Sequence, residues 1–588
     1  MVCCSASKKL ADNFLPLRSN TGLCLGGLRA PTLHLFTAET LLAPNEGPNR
    51  LIELGCSEVL TKKSAAFGRV EELFEKINFT RSKLGAAALM RDILEPPTTL
   101  SEIQSRREAI RELKENTELR SKLEECLGNL QKNFYGKTTL ESTALRVLAP
   151  NLADTSSANL SFFGGIVEKS RTKLNQYYVV ARRASSLGKL LRSFSNINAE
   201  PNSALLRELL RPIENALQSV DRELYDGKGL VRFDRLGKAN PVDSRCNTPW
   251  YVPALSISKA TFETTMLSLT AATLVPRITE SVASSLFSKF YFQGIFPLCC
   301  LAVTMLSCVI LNKKQEVQFQ ERLSKSSPLM AALDAIGELD AILSLVKYEE
   351  KLGAAGGLPT LLESDHFYAS YKGARNPVLA LQQPQACVPN DFEFRAGKLT
   401  ALNGPNSGGK STILRTFFYN QILAQLGTVV AAERASLSIA DRIIYQGPEE
   451  SSGKNQKQDG NKGHGQFFAE MIAVKEILDT GTRQSLIILD EVGAGSAEEE
   501  SRKIVYDCLM AFKVAKGGVI YVTHDRTLVR NLAEDGATPI KMGFDPVRNK
   551  PTYTIEPGIS SSSYANIAAH DAGITPEYLK QFALKRAD

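Results

Sequence analysis

The chain has 588 residues, too many for one hydrophobic core, so two or three domains are expected. Hydrophobic residues make up 43% and charged residues 23%, which excludes a disordered chain, and 70 lysines and arginines against 63 acids leave a formal charge of +7, which tolerates an anionic partner without demanding one. The 11 cysteines fall singly or as adjacent pairs with no C-x-x-C spacing; this argues against a disulfide framework or a zinc site and for a reducing, intracellular, cytoplasmic setting.

Residues 1–57 carry Gly, Pro and Asn clusters such as APNEGPNR and read as a loop-rich N-terminal segment, without the long apolar run of a secretory signal. Residues 58–361 show charged faces and leucines three or four apart, the pattern of a mainly α-helical domain. In SEIQSRREAIRELKENTELRSKLEECLGNL, Ser101 followed by Gln104 has the form of a capping box opening a long helix. Residues 290–312 contain no charged side chain, and as a helix they would be roughly 35 Å long, enough to cross a bilayer. Gln293, Pro297, Thr304 and Ser307 lower the hydrophobicity of this stretch, and a single span would part the helical region from the rest of the chain. Membrane association through 290–312 and a buried core helix both stand as readings.

From 362 to 588 short apolar runs alternate with glycine turns and amphipathic helices, the pattern of an α/β domain whose sheet is covered on both faces. The run EESSGKNQKQDGNKGHG inside it is polar and glycine-rich, an expected surface loop. Directly after the apolar run KLTAL, Gly404-Pro405-Asn406-Ser407-Gly408-Gly409-Lys410-Ser411 satisfies G-x-x-x-x-G-K-[ST], and Thr412 continues into a helical segment. In a P-loop of this form the backbone N–H groups and the helix dipole face the phosphates of ATP. Lys410 would contact the β- and γ-phosphates, and the Ser411 hydroxyl would coordinate Mg²⁺. About eighty residues on, SLIILDE ends a buried strand in two acids: Asp490 in reach of the Mg²⁺ shell, Glu491 placed to orient or deprotonate the attacking water. GGVIYVTHD ends a further strand, where His524 is a candidate γ-phosphate sensor.

These residues carry a resemblance to the MutS DNA mismatch-repair family. GPNSGGKST is one residue from the family's GPNMGGKST, and DEVGAGS resembles D-E-x-G-R-G-T. ARNPVL and VPNDFEF resemble R-H-P-L and V-P-N-D, which places Cys387, Val388 and Asn390 near where the family holds the adenine. QILAQLGTVVAAERASLSIADRI and PGISSSSYANIAAHDAGITPEYL are similar to further family segments, and FTRSKLGAAALMRDILEPPTTLSEIQSRREAIREL resembles the start of the family's core domain. The resemblance implies an ABC-type P-loop ATPase domain at 362–588 and a helical core and lever-like domain at 58–361.

It also implies a homodimer whose ATPase domains brace each other, and binding of mismatched, branched or distorted DNA in repair or recombination. Basic residues such as Lys169, Arg171, Lys173, Arg182, Arg183, Lys189 and Arg192 are candidates for phosphate contact or for a solvated helix face. The departures are specific. No F-x-E wedge lies near the start, Gly465 replaces the serine that reaches the partner's γ-phosphate, with His464 and Gln466 as neighbouring substitutes, and Ala494 replaces the arginine of D-E-x-G-R-G-T. An alternative reading is therefore a membrane-associated, nucleotide-dependent interaction clamp that does not read DNA. An LSGGQ-like transporter signature is absent before SLIILDE, where GHGQFFAEMIAVKEIL stands.

Overall fold

A computed structural model of the chain describes residues 59–131, 188–197, 201–219, 326–404, 408–447, 462–493, 499–515, 517–545, 548, 550–560 and 572–584, with short strands at 133–134, 138–139, 230–233, 239–240 and 256–258. The N-terminal segment 1–57, the stretch 290–312 and the basic residues between Lys169 and Arg183 lie outside the described residues. Among those described, no helix is long and apolar enough to cross a membrane.

The helical region contains α1 (Lys62–Phe67), α2 (Val70–Ile77), α3 (Lys83–Leu94), α4 (Leu100–Glu115), α5 (Thr117–Gln131), α6 (Ala204–Gln218) and α7 (Ser327–Leu352). Thr61, Ser82 and Thr99 cap α1, α3 and α4 by accepting from backbone amides in the first turn. The N-cap therefore sits two residues before Ser101: Thr99 accepts from the Glu102 amide at 3.4 Å, and its hydroxyl also lies 3.1 Å from the Glu102 carboxylate. The expected long helix also breaks, at Asn116. Its backbone leaves helical geometry (φ −89°, ψ 83°) and its side chain accepts from the Leu119 amide at 3.0 Å, starting α5.

The buried axis of this region is α7, packed against α3, α4 and α6. At Gly337 the packing is so close that a Cβ would lie 2.9 Å from the Leu84 carbonyl oxygen. Beside it lies a mostly buried charged cluster: Arg106 reaches Asp92 at 2.8 Å and Glu338 at 3.2 Å, and Arg91 pairs with Glu338 as well. Buried charges hold such positions only when paired.

Among the described residues, the C-terminal part has two sheets. A four-stranded one joins β1 (Thr360–Leu362), β2 (Tyr368–Ala374), β3 (Asn390–Arg395) and β5 (Arg434–Ser438) in the order β1-β5-β2-β3. The larger one joins β4 (Leu399–Asn403), β6 (Ile443–Gln446), β7 (Leu486–Asp490), β8 (Gly518–Thr523), β9 (Thr538–Asp545) and β10 (Lys550–Pro557) in the order β6-β7-β8-β4-β9-β10. It is parallel except for β10. The helices of this part are α8 (Pro377–Gln382), α9 (Lys410–Gln425), α10 (Lys462–Thr480), α11 (Glu499–Ala515), α12 (Arg526–Glu534) and α13 (Pro576–Leu584).

Every residue of β4, β6, β7 and β8 is buried, as strands covered on both faces require. Leu402, Ile488, Ile520 and Val522 join the core that runs through α9 into the helical region. Alternate residues Ala401, Leu489, Val519 and Tyr521 join a second core with α11 and α12. After α7 ends at Leu352, Gly357 bridges Val430 and Thr360 pairs with Ser436 in β5.

Candidate nucleotide-binding site

Strand register builds the site. Asp490 of β7 lies opposite Val522 of β8, and Thr523 of β8 lies opposite Asn403 of β4. The carboxyl ends of three adjacent parallel strands therefore finish level, which is where open α/β sheets bind ligands. Gly404 follows β4, Glu491 follows β7 and His524 follows β8.

The turn after β4 needs glycine: Gly404 (φ 149°) has Met542 against it, and Gly409 adopts φ 87°. Gly409 is also the N-cap of α9, so no side chain caps that helix, and no acid lies in its first turn. Such an N-terminus favours an anion. Gly408, Gly409, Lys410, Ser411 and Thr412 are described there; Pro405, Asn406 and Ser407 lie outside the described residues.

Lys410 is almost fully buried (3% exposed) and reaches back over the turn, donating to the Gly404 carbonyl at 3.1 Å. Its Nζ lies 3.2 Å from His524 Nε2 and 3.8 Å from Glu491 Oε1. Burial pushes its ammonium below its usual range, and Glu491 and Asp490 pull the other way. Glu491 takes a left-handed backbone (φ 58°), unusual for a side chain of its size, and thereby turns toward β8. Its Oε1 lies 2.7 Å from His524 Nε2. One ring nitrogen cannot both donate to that carboxylate and accept from the lysine, and charge favours donation to Glu491. That hydrogen bond holds the Glu491 carboxyl below its usual range, against the effect of burial.

Asp490 sits on the other side. Ser411 donates to its Oδ2 at 3.3 Å and Tyr445 of β6 donates to the same oxygen at 3.1 Å. Burial raises the Asp490 carboxyl; the Tyr445 hydrogen bond opposes this and the Glu491 charge adds to it. A hydroxyl and a carboxylate at this spacing form a hard-oxygen donor pair, and a buried carboxylate wants a counter-charge, so the residues present fit Mg²⁺.

Among the other expected residues, Cys387 is buried and Val388 half-buried. The Asn390 carboxamide is engaged with β10: it donates to the Tyr553 carbonyl at 3.1 Å and accepts from the Ile555 amide at 2.6 Å. His464, Gly465 and Gln466 have helical backbone at the start of α10, and Ala494 lies outside the described residues. Tyr445 and Tyr553 had no motif to mark them. Tyr553, at φ 59° and half exposed, sets its ring 3.0 Å from where a Cβ on Gly409 would stand. Glu470, equally unannounced, fixes the turn after Glu491 by accepting from the Gly493 amide at 2.8 Å.

A mostly parallel sheet flanked by helices, with an acidic strand end two strands from the strand that leads into α9, places this part of the chain in the α/β class. The particular family follows from comparison with known proteins. The family model of MutS domain V matches residues 400–585 and that of MutS domain III matches residues 54–345, and the chain belongs to the MutS family. It is 27% identical over 325 residues to the DNA mismatch repair protein MSH6 of Saccharomyces cerevisiae, covering 51% of this chain and 25% of that one. It is 28% identical over 285 residues to the Endonuclease MutS2 of Thermus thermophilus, covering 47% and 36%. Against the DNA mismatch repair protein MutS of Symbiobacterium thermophilum, 34% of 188 residues are identical, covering 32% and 20%. The matched part thus spans between 20% and 36% of these relatives' own lengths.

Proposed function

We propose that the chain is a Mg²⁺-dependent ATPase of MutS type that couples nucleotide state to binding of mismatched, branched or otherwise distorted DNA, acting as a homodimer in repair or recombination. The observation that carries this reading is the convergence of Lys410, Glu491, His524, Ser411 and Asp490 on one sheet edge beside an uncapped helix start. The DNA component rests on family membership and on the names of the relatives, and the homodimer on the resemblance of the sequence motifs.

In this reading the amides of the 404–409 turn and of the first turn of α9 bind the phosphates, and Lys410 leaves its carbonyl and carboxylate partners for them. Ser411 and Asp490 would hold Mg²⁺, which would supply positive charge against that of the phosphates. Glu491 Oε1, kept ionised and oriented by His524, accepts the proton of the attacking water. The test is ATPase activity with homoduplex, mismatched and branched DNA beside Lys410→Ala. Stimulation by distorted DNA, with the variant inactive, is the expected outcome; activity indifferent to every DNA would remove the DNA component. A second reading, a membrane-associated clamp without DNA, draws on the charge-free run 290–312. Salt separates the two, because phosphate contacts predict a steep loss of DNA affinity as salt rises.

A further inference from the structure

Asp490 is held by a phenol on a strand that carries no motif residue. Tyr445 is 2% exposed and sits on β6, where register places it opposite Ile488, two residues before Asp490. Its hydroxyl donates to Asp490 Oδ2, the oxygen that also accepts from Ser411. The residue is held at its ring and at its backbone. It meets Phe418 of α9 edge-on (centroids 5.6 Å, interplanar angle 88°), and its backbone amide donates to the buried Ser64 hydroxyl of α1 at 3.1 Å. Phe67 of the same helix packs against Gly447, two residues on, and the Val59 carbonyl accepts from the Ile443 amide at 2.8 Å, so the start of the helical region braces β6.

We propose that Tyr445 is a positioning residue for the metal-binding carboxylate, orienting Asp490 through Oδ2 from a strand clamped by α1. The proposal rests on the assignment of Ser411 and Asp490 as the Mg²⁺ pair. Once Ser411 serves a cation its hydroxyl is no longer committed to Asp490, and Tyr445 is the neighbour that keeps the carboxylate plane in place. A phenol on a buried strand does this without the rotational freedom of a serine or a water, and hydrogen bonds to metal-binding side chains commonly govern 10- to 100-fold, roughly, of metal affinity or activity.

Tyr445→Phe keeps the ring against Phe418 and removes a single oxygen. The measurement is binding of a fluorescent, non-hydrolysable ATP analogue to the full chain, titrated with Mg²⁺ and repeated in EDTA. The expected result is a rise of about tenfold or more in half-saturating Mg²⁺, with affinity in EDTA unchanged. An unchanged Mg²⁺ dependence overturns the proposal, and so does an equal loss with and without Mg²⁺, which would mark a general packing role. The underlying assignment fails differently. In that case wild-type protein shows no Mg²⁺-dependent binding, or Lys410→Ala binds as wild type does, and the role of Tyr445 falls with it.

Discussion

Glu491 is oriented by its left-handed backbone and by a hydrogen bond from His524. Glu491→Gln preserves shape and removes the ability to take a proton together with the charge beside Lys410. If Glu491 is the base, hydrolysis falls by about 10²- to 10⁴-fold while nucleotide affinity is kept, which single-turnover kinetics and equilibrium binding separate. Equal losses in both would give the residue to phosphate binding instead. A different acid tests the electrostatics of the helical region. Glu350 accepts from Arg120 at 2.9 Å, and that bond holds its carboxyl below the ordinary 4.5. A carboxyl lowered on folding stabilises above its unfolded value and loses that contribution as pH falls through its folded one. Glu350→Gln should thus melt below wild type at neutral pH, and the gap should close as pH drops below 4.5. A gap that widens on acidification would refute the assignment.

At the scale of elements, Gly337 shows where packing overrides propensity. Replacing a mid-helix glycine by alanine ordinarily gains about 0.5–1 kcal/mol. In α7 the new Cβ would stand 2.9 Å from the backbone oxygen of Leu84, which cannot swing aside, and overpacking costs roughly 1–3 kcal/mol. Gly337→Ala should therefore lower the denaturation midpoint with an unchanged m-value; a raised midpoint would mean α3 and α7 are free to separate. Such crossings leave no trace in the sequence, because they depend on which helix lies opposite. The strand-end cluster was readable for the opposite reason. KLTAL, SLIILDE and GGVIYVTHD are apolar runs too short for helices and stopped by polar residues, so parallel packing alone brings Lys410, Asp490, Glu491 and His524 to one edge. Tyr445 was hidden, since its contact with Asp490 arises from the pairing of β6 with β7 across a gap of more than forty residues. The break at Asn116 and the cap at Thr99 were obscured because several nearby side chains compete to end or start the same helix.

Across the whole molecule, α9 runs from the glycine turn into the core shared with the helical region. Its 16 residues span about 24 Å. At its far end Gln425 donates to the carbonyls of Pro97 (2.8 Å) and Ala440 (3.0 Å), and Gly427 sits so close to α4 that a Cβ would lie 3.0 Å from the Ile103 carbonyl oxygen. Thr428 and the Val429 amide then donate to Glu349 of α7 at 3.1 and 3.3 Å, while Lys114 of α4 holds the other oxygen of that carboxylate at 3.1 Å. Glu349 thus ties the exit of the phosphate-facing helix to α4 and α7 together. A ligand that shifts or stiffens α9 must change the free energy of those bonds, which is the differential contact that coupling between two regions requires. Hydrogen exchange with a non-hydrolysable ATP analogue should show added protection both at 404–412 and at 427–430 and α4. Glu349→Gln, which keeps the size of the side chain but weakens its hold on Lys114 and the Val429 amide, should retain the first effect and diminish the second. Protection confined to 404–412 in wild type would mean that α9 moves, if at all, without carrying the helical region with it.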